Sequence, residues 1–264
     1  MLSAKDLYIT FNPGTAIETQ ALRGMSLDIP AGQFVTVIGS NGAGKSTLLN
    51  AVSGDLSVDS GSIMIDDEDV SNQPVWTRAR QVARVFQDPM AGTCEDLTIE
   101  ENMALAYNRG KPRGLSKAVK HAMRDEFRDR LSTLGLGLEN RLTDRIGLLS
   151  GGQRQAVSLL MAALQPSRIL LLDEHTAALD PRTAAFVLEL TARLVEQSKL
   201  TTMMVTHSMR QALDVGQRTI MLHQGKVVLD VSGPERHGLD VPDLLVMFER
   251  VRGEQLADDG LLLS

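Results

Sequence analysis

Residues 39–47, GSNGAGKST, set Gly39, Gly44, Lys45 and Ser46 in the order G-x-x-x-x-G-K-[ST]. The run follows the apolar stretch FVTVIG and precedes TLLNAVSG, which reads as a helix. A glycine-rich loop between a strand and a helix lets backbone N–H groups turn inward around phosphate oxygens. The helix N-terminus adds partial positive charge to that cradle. Gly39, Ser40, Asn41, Gly42, Ala43, Gly44 and Thr47 line it. Lys45 is placed to reach β- and γ-phosphates, and Ser46 to hold Mg²⁺. The purely structural alternative is a turn with an exposed lysine, and the strand–loop–helix context weighs against it.

Such a loop needs a metal-binding carboxylate at the end of a buried strand. Residues 169–174, ILLLDE, provide one. Asp173 is placed to orient Mg²⁺, and Glu174 to take a proton from an attacking water or hold it in line. A second glycine-rich helix start stands at 148–155, LLSGGQRQ. Ser150 is a favoured N-cap residue, and Gly151 and Gly152 permit close approach of an oxyanion to the backbone. The same residues are also compatible with a simple helix cap.

These residues must be positioned by the elements around them. Short strands are expected at DLYITF, MSLDI, FVTVIG and GSIMID, separated by Gly, Pro and Asn turns. TIEENMALAY, SKAVKHAMRDEFRDRLSTLGL and GGQRQAVSLLMAAL have apolar spacing near 3.6 and read as helices. Buried strands return at RILLLDE, TTMMVTH and RTIMLHQG, alternating with the helices RTAAFVLELTARLVEQ and MRQALDVG. Alternating strands and helices mean an α/β fold with a parallel core, and the middle helices read as an insertion over about 90–160.

Composition bounds the rest. The chain has 264 residues, 43% hydrophobic and 23% charged, as in soluble globular proteins. A net charge of −6 argues against coating nucleic acid or an anionic membrane by charge alone. One cysteine, Cys94, excludes an internal disulfide framework. No stretch approaches membrane-spanning length and the first residues lack a signal-peptide core, so a cytoplasmic location is expected. Cys94, Trp76 and His121, His223 and His237 lack metal-ligand spacing and read as structural or surface residues.

Leu149-Ser150-Gly151-Gly152-Gln153 resembles the signature motif of the ABC-type ATPases, and the family's other motifs occur in order. Gln87, in VFQDP, matches the Q-loop; DEHTAALD joins the carboxylate pair to a D-loop ending at Asp180; His207, in VTHS, matches the switch histidine. The resemblance spans residues 39–207. It implies a P-loop NTPase fold with a RecA-like parallel-sheet core, an N-terminal antiparallel β subdomain and an inserted helical subdomain. It further implies ATP and Mg²⁺ as cofactors. Glu174, Gln87 and His207 are then the catalytic set, Ser46, Gln87 and Asp173 the metal set, and Ser150, Gly151, Gly152, Gln153 and Asp180 contacts to nucleotide across a head-to-tail dimer. Phe11 is expected to stack on adenine, with Tyr8 as rival and a strand-core aromatic as the structural alternative. Gln87 and His207 have structural readings too, as a polar residue after a strand and a satisfied core histidine. Asp180 before Pro181 also suits a helix N-cap.

His175 departs from the family pattern, which has Pro in DEPT; a ring beside the catalytic carboxylate could tune Glu174 or do nothing, and the expectation is that it does nothing. Two architectures of function follow from the resemblance. One is an ATPase subunit, residues 1–240 with a short C-terminal helix and tail over 241–264, that drives separate polytopic permease subunits from the cytoplasmic face of the inner membrane. Its partners would be a second nucleotide-binding subunit, expected as a homodimer, and an extracytoplasmic solute-binding protein, with no nucleic acid. The other is a soluble ABC ATPase acting on DNA, ribosomes or iron–sulfur assembly, disfavoured by the acidic charge and the lack of long heptads. An exporter subunit is a further alternative. TFNPGT, FQDPMAGT, TIEEN and DEHTAALDP resemble a smaller group paired with permeases similar to those for branched-chain amino acids, so uptake of a small organic solute is expected.

Overall fold

The structure is a computed structural model that describes residues 1–111 and 119–250. In chain order the first elements are β1 (Leu2–Phe11), β2 (Thr19–Ile29), β3 (Phe34–Gly39), α1 (Lys45–Ser53), β4 (Ser60–Ile65) and β5 (Glu68–Asp69). There follow α2 (Val75–Arg78), β6 (Val82–Val85), α3 (Ile99–Tyr107), α4 (His121–Ser132), α5 (Gly151–Ala163), β7 (Ile169–Asp173) and α6 (Pro181–Ser198). The last are β8 (Thr201–Val205), α7 (Met209–Asp214), β9 (Arg218–His223), β10 (Lys226–Ser232), α8 (Gly233–Arg236) and α9, helical over 241–250. The chain forms two compact units. The first joins Met1–Asn72 to the residues from Met203 onward, and the second is Gln73–Thr202.

In the first unit, β2, β1, β4 and β5 form an antiparallel sheet in that order. Met25, Leu27 and Ile29 of β2 alternate inward, as a sheet with one covered face requires. Strand β3 differs, with every residue from Phe34 to Ile38 buried, and it pairs in parallel with β9 from Val35↔Arg218 to Gly39↔Leu222. Such a continuous run marks a strand covered on both faces. Strand β10 pairs antiparallel with β9 through the two-residue turn Gln224-Gly225, both with positive φ. Helix α9 is tied to this unit by Leu244, which packs with Ile38, Ala212 and Met221, and by an edge-on contact of Phe248 with His223.

In the second unit β6 and β7 pair in parallel, Val82↔Ile169 to Val85↔Leu172. Helix α3 starts in a capping box of Thr98 and Glu101. Arg124 of α4 grips Glu100 of α3 with two hydrogen bonds of 2.7 Å, and Tyr107 meets Phe127 edge-on. Helix α5 is buried from Arg154 to Ala162. The parallel strands, the antiparallel N-terminal sheet and the run of helices agree with the expected α/β class.

Three strands escaped the sequence reading, each for a local reason. Strand β5 has two residues, β6 reads VARV with a charge in its middle, and β10 is half-exposed for most of its length. The expected helix over 116–136 is shorter. Its first residues fall within 112–118, outside the described residues, and it stops at Ser132 ahead of Gly135 and Gly137, whose φ values of 65° and 70° end a right-handed helix. Residues 251–264, the expected tail, also lie outside the described residues.

Candidate functional site

In the first unit the loop after β3 bends through Gly39, Gly42 and Gly44, with φ of 151°, 77° and 100°. Glycine is required twice over at two of them. A Cβ on Gly39 would collide with the Leu222 carbonyl, and one on Gly44 would lie 2.7 Å from the Ala21 carbonyl. Ala43 accepts from the Gly225 N–H at 3.1 Å, which pins the loop to the β9–β10 turn. Gly44 is the N-cap of α1 and no side chain caps that helix. Lys45 is buried, and its Nζ donates to Gly39 O at 2.9 Å and Ser40 O at 3.0 Å. Ser46 is exposed beside it and Thr47 half-buried; Ser40, Asn41 and Gly42 form the loop's outer arc.

Two further positions belong to this unit. Phe11 ends β1 and is partly exposed, opposite Thr19. Tyr8, its rival, lies over Gly24 of β2 with its hydroxyl 2.7 Å from where a Cβ would stand, which ties its ring to its own sheet. His207 is exposed, so it is not a core histidine. Its neighbours are held on both sides: Thr206 N–H donates to Val37 O at 3.1 Å, and Ser208 caps α7 by accepting from Gln211 N–H at 3.2 Å.

In the second unit Asp173 closes β7 and receives a 2.6 Å hydrogen bond from Arg84 Nη2 of β6. Both side chains are largely buried, and the Arg84 guanidinium also covers the Phe86 ring at 4.7 Å. The sequence reading missed Arg84, since only the pairing of β6 with β7 brings it to Asp173. Glu174 is 8% exposed with φ of 45°, and its carbonyl accepts from Ala177 N–H at 2.9 Å. Gln87 is exposed two residues past β6, where Gln155 Nε2 of α5 anchors the preceding carbonyl, Phe86 O, at 3.1 Å.

Ser150 caps α5 in a capping box with Gln153, each side chain bonding the other's backbone, at 3.3 and 3.2 Å. Gly151 faces open space apart from Leu179 Cδ2 at 3.7 Å, an ordinary contact. Gly152 differs. A side chain there would collide with Thr183 Cγ2 of α6, so this glycine is required by the molecule's own packing. Asp180 caps α6, accepting from Arg182 N–H and Thr183 N–H at 3.2 and 3.1 Å. Hydrogen bonds from the Thr183 side chain and backbone hold its carboxyl below the usual range. His175 is buried, 2.9 Å from Thr191 Oγ1, and burial pushes its pKa down to about 4.

The first unit thus carries a glycine-rich loop with its lysine, and the second a strand-end carboxylate pair and a capped glycine helix start, the parts of a P-loop nucleoside triphosphatase. A family profile described as "ABC transporter" matches residues 22–177. The tyrosine transport ATP-binding protein of Clostridioides difficile (strain R20291) is 45% identical over 94% of this chain and 99% of its own length. The thiamine import ATP-binding protein of Escherichia coli (strain K12) is 34% identical over 76% of this chain and 82% of its own. Among solved structures, the dimeric ATP-binding cassette MJ0796 in a post-hydrolysis state with ADP and Pi is 29% identical, with a TM-score of 0.74 over 88% of this chain and 98% of that one. The chain belongs to the ABC transporter family, as an ATP-hydrolysing, ATP-binding subunit. Among the described residues no helix is long and apolar enough to cross a membrane.

Proposed function

We propose that this subunit energises uptake of a small organic solute, an amino acid being the favoured class. The similarity to the tyrosine transport protein, which runs along nearly the whole of both chains, carries this reading. The thiamine import relative supports import as the direction. In this reading two copies of the chain pair head to tail and work with polytopic permease subunits and a solute-binding protein on the other side of the membrane. The subunit then sits at the cytoplasmic face. Copurification of the assembled transporter, with identification of the ligand carried by its binding protein, tests it. An amino acid is expected; a complex with no binding protein, or solute moving outward, would overturn it.

We assign the roles as follows. The loop amides of residues 39–47 and Lys45 hold the β- and γ-phosphates, Phe11 stacks on adenine and His207 contacts the γ-phosphate. Glu174 accepts the proton of the attacking water. Ser46, Gln87 and Asp173 offer a hydroxyl, an amide and a carboxylate, the hard oxygen donors that suit Mg²⁺ alongside phosphate oxygens. Among the described residues no cluster of three acidic, His or Cys side chains competes for a metal. When bound, Mg²⁺ supplies charge neutralisation at the phosphates. Ser150, Gly151, Gly152, Gln153 and Asp180 serve the nucleotide of the partner copy.

A further inference from the structure

Glu174 adopts a backbone conformation that its side chain resists. Its φ of 45° lies in the left-handed region, where Cβ crowds the following carbonyl oxygen. Such a residue persists where its surroundings over-determine it. One restraint is the turn closed by Ala177 N–H on Glu174 O. The other is the next residue. His175 is 2% exposed, and its Nε2 lies 2.9 Å from Thr191 Oγ1 in the middle of α6. Thr191 Oγ1 in turn donates to Val187 O at 2.8 Å, one helical turn back. A hydroxyl has one proton and a carbonyl can only accept, so Nε2 carries the hydrogen and donates to Oγ1.

The ring thus hangs from a helix that is itself fixed at its start by the Asp180 cap and by the fit of Thr183 against Gly152. We propose that His175 is a positioning residue, which sets the Glu174 carboxylate for ATP hydrolysis by tethering the end of β7 to Thr191. The proposal rests on Glu174 being the base. A side chain on a stiff tether delivers its neighbour to one geometry; without the tether the carboxylate samples several, and misplacement by about 1 Å costs on the order of 100-fold in turnover.

The test uses the full-length chain, with ATPase kinetics, nucleotide affinity and thermal melting measured on each variant. Thr191→Val keeps the shape and removes the acceptor. It should lower kcat about 10- to 100-fold while KM and ATP affinity stay within about twofold. Thr191→Ser, which keeps the hydroxyl, should restore kcat to within about twofold of the parent. His175→Leu leaves Thr191 paired to Val187 and no buried donor orphaned, so it should fold and repeat the loss. Glu174→Gln is run beside them. Parental kcat in Thr191→Val and His175→Leu, with Glu174→Gln inactive, overturns the tether and leaves the base assignment standing. Parental turnover in Glu174→Gln overturns the base assignment and this proposal with it. A loss of kcat matched by an equal loss of ATP affinity marks a general structural role and also overturns the tether.

Discussion

Thr183 Cγ2 of α6 occupies the space that a side chain at Gly152 of α5 would enter. The glycine of the signature run is therefore needed first by the helix packing inside its own unit. Gly152→Ala should destabilise the chain by about 1–3 kcal/mol, the usual cost of overpacking. Thr183→Ser removes the colliding methyl and keeps the hydroxyl that serves Asp180, so the double variant should recover most of that loss. Urea unfolding of the four proteins of the cycle measures it. Strictly additive losses would mean that the two residues do not share the space.

Gly151 is the better probe of a role in trans, because a side chain there meets only Leu179 at an ordinary distance. Gly151→Asp should leave the chain's own phosphate loop untouched and block ATP-dependent pairing. Two like charges at about 4 Å repel by roughly 4 kcal/mol at an effective dielectric near 20. In a dimer of one Gly151→Asp chain with one Lys45→Ala chain, both lesions fall on one site and the other stays intact. Crosslinking that found both sites equally damaged would place the signature in cis.

Glu174→Gln keeps the shape of the side chain and loses its ability to accept a proton. Steady-state ATP hydrolysis should fall to background while ATP binding persists and the ATP-bound dimer accumulates. Turnover at the parental rate, measured by phosphate release, would remove Glu174 from the catalytic role.

Lys45→Ala acts earlier in the cycle. The ammonium that bonds Gly39 O and Ser40 O is the charge placed to meet the phosphates. Hydrogen bonds to charged groups contribute about 1.5–3 kcal/mol, which is roughly a 10- to 100-fold loss of ATP affinity. A nucleotide titration with unchanged affinity would count against the phosphate-loop reading.

The sequence alone determined those parts of the site whose chemistry needs neighbouring residues. The loop proposed to hold phosphate is nine consecutive positions, 39–47, because a cradle of backbone amides is built from neighbouring residues. Strand β3 is legible because a strand buried on both faces must be apolar throughout, and its predicted bounds match the observed ones. The Ser150 cap is legible because a capping box spans only four residues, Ser150 to Gln153. What tertiary structure decided are relationships between residues far apart in the chain. Arg84 reaches Asp173 across 89 positions only because β6 and β7 pair in register. The contact of His175 with Thr191, sixteen residues on, exists only because the packing of α6 brings the two together. Gly152 reads in the sequence as permitting close approach of an oxyanion, whereas the neighbour that stands against it in this chain is Thr183, set there by helix packing and by no local pattern. Local chemistry repeats along a chain and can be read from it; packing selects one partner among many equally suitable residues, and that choice exists only in the folded state.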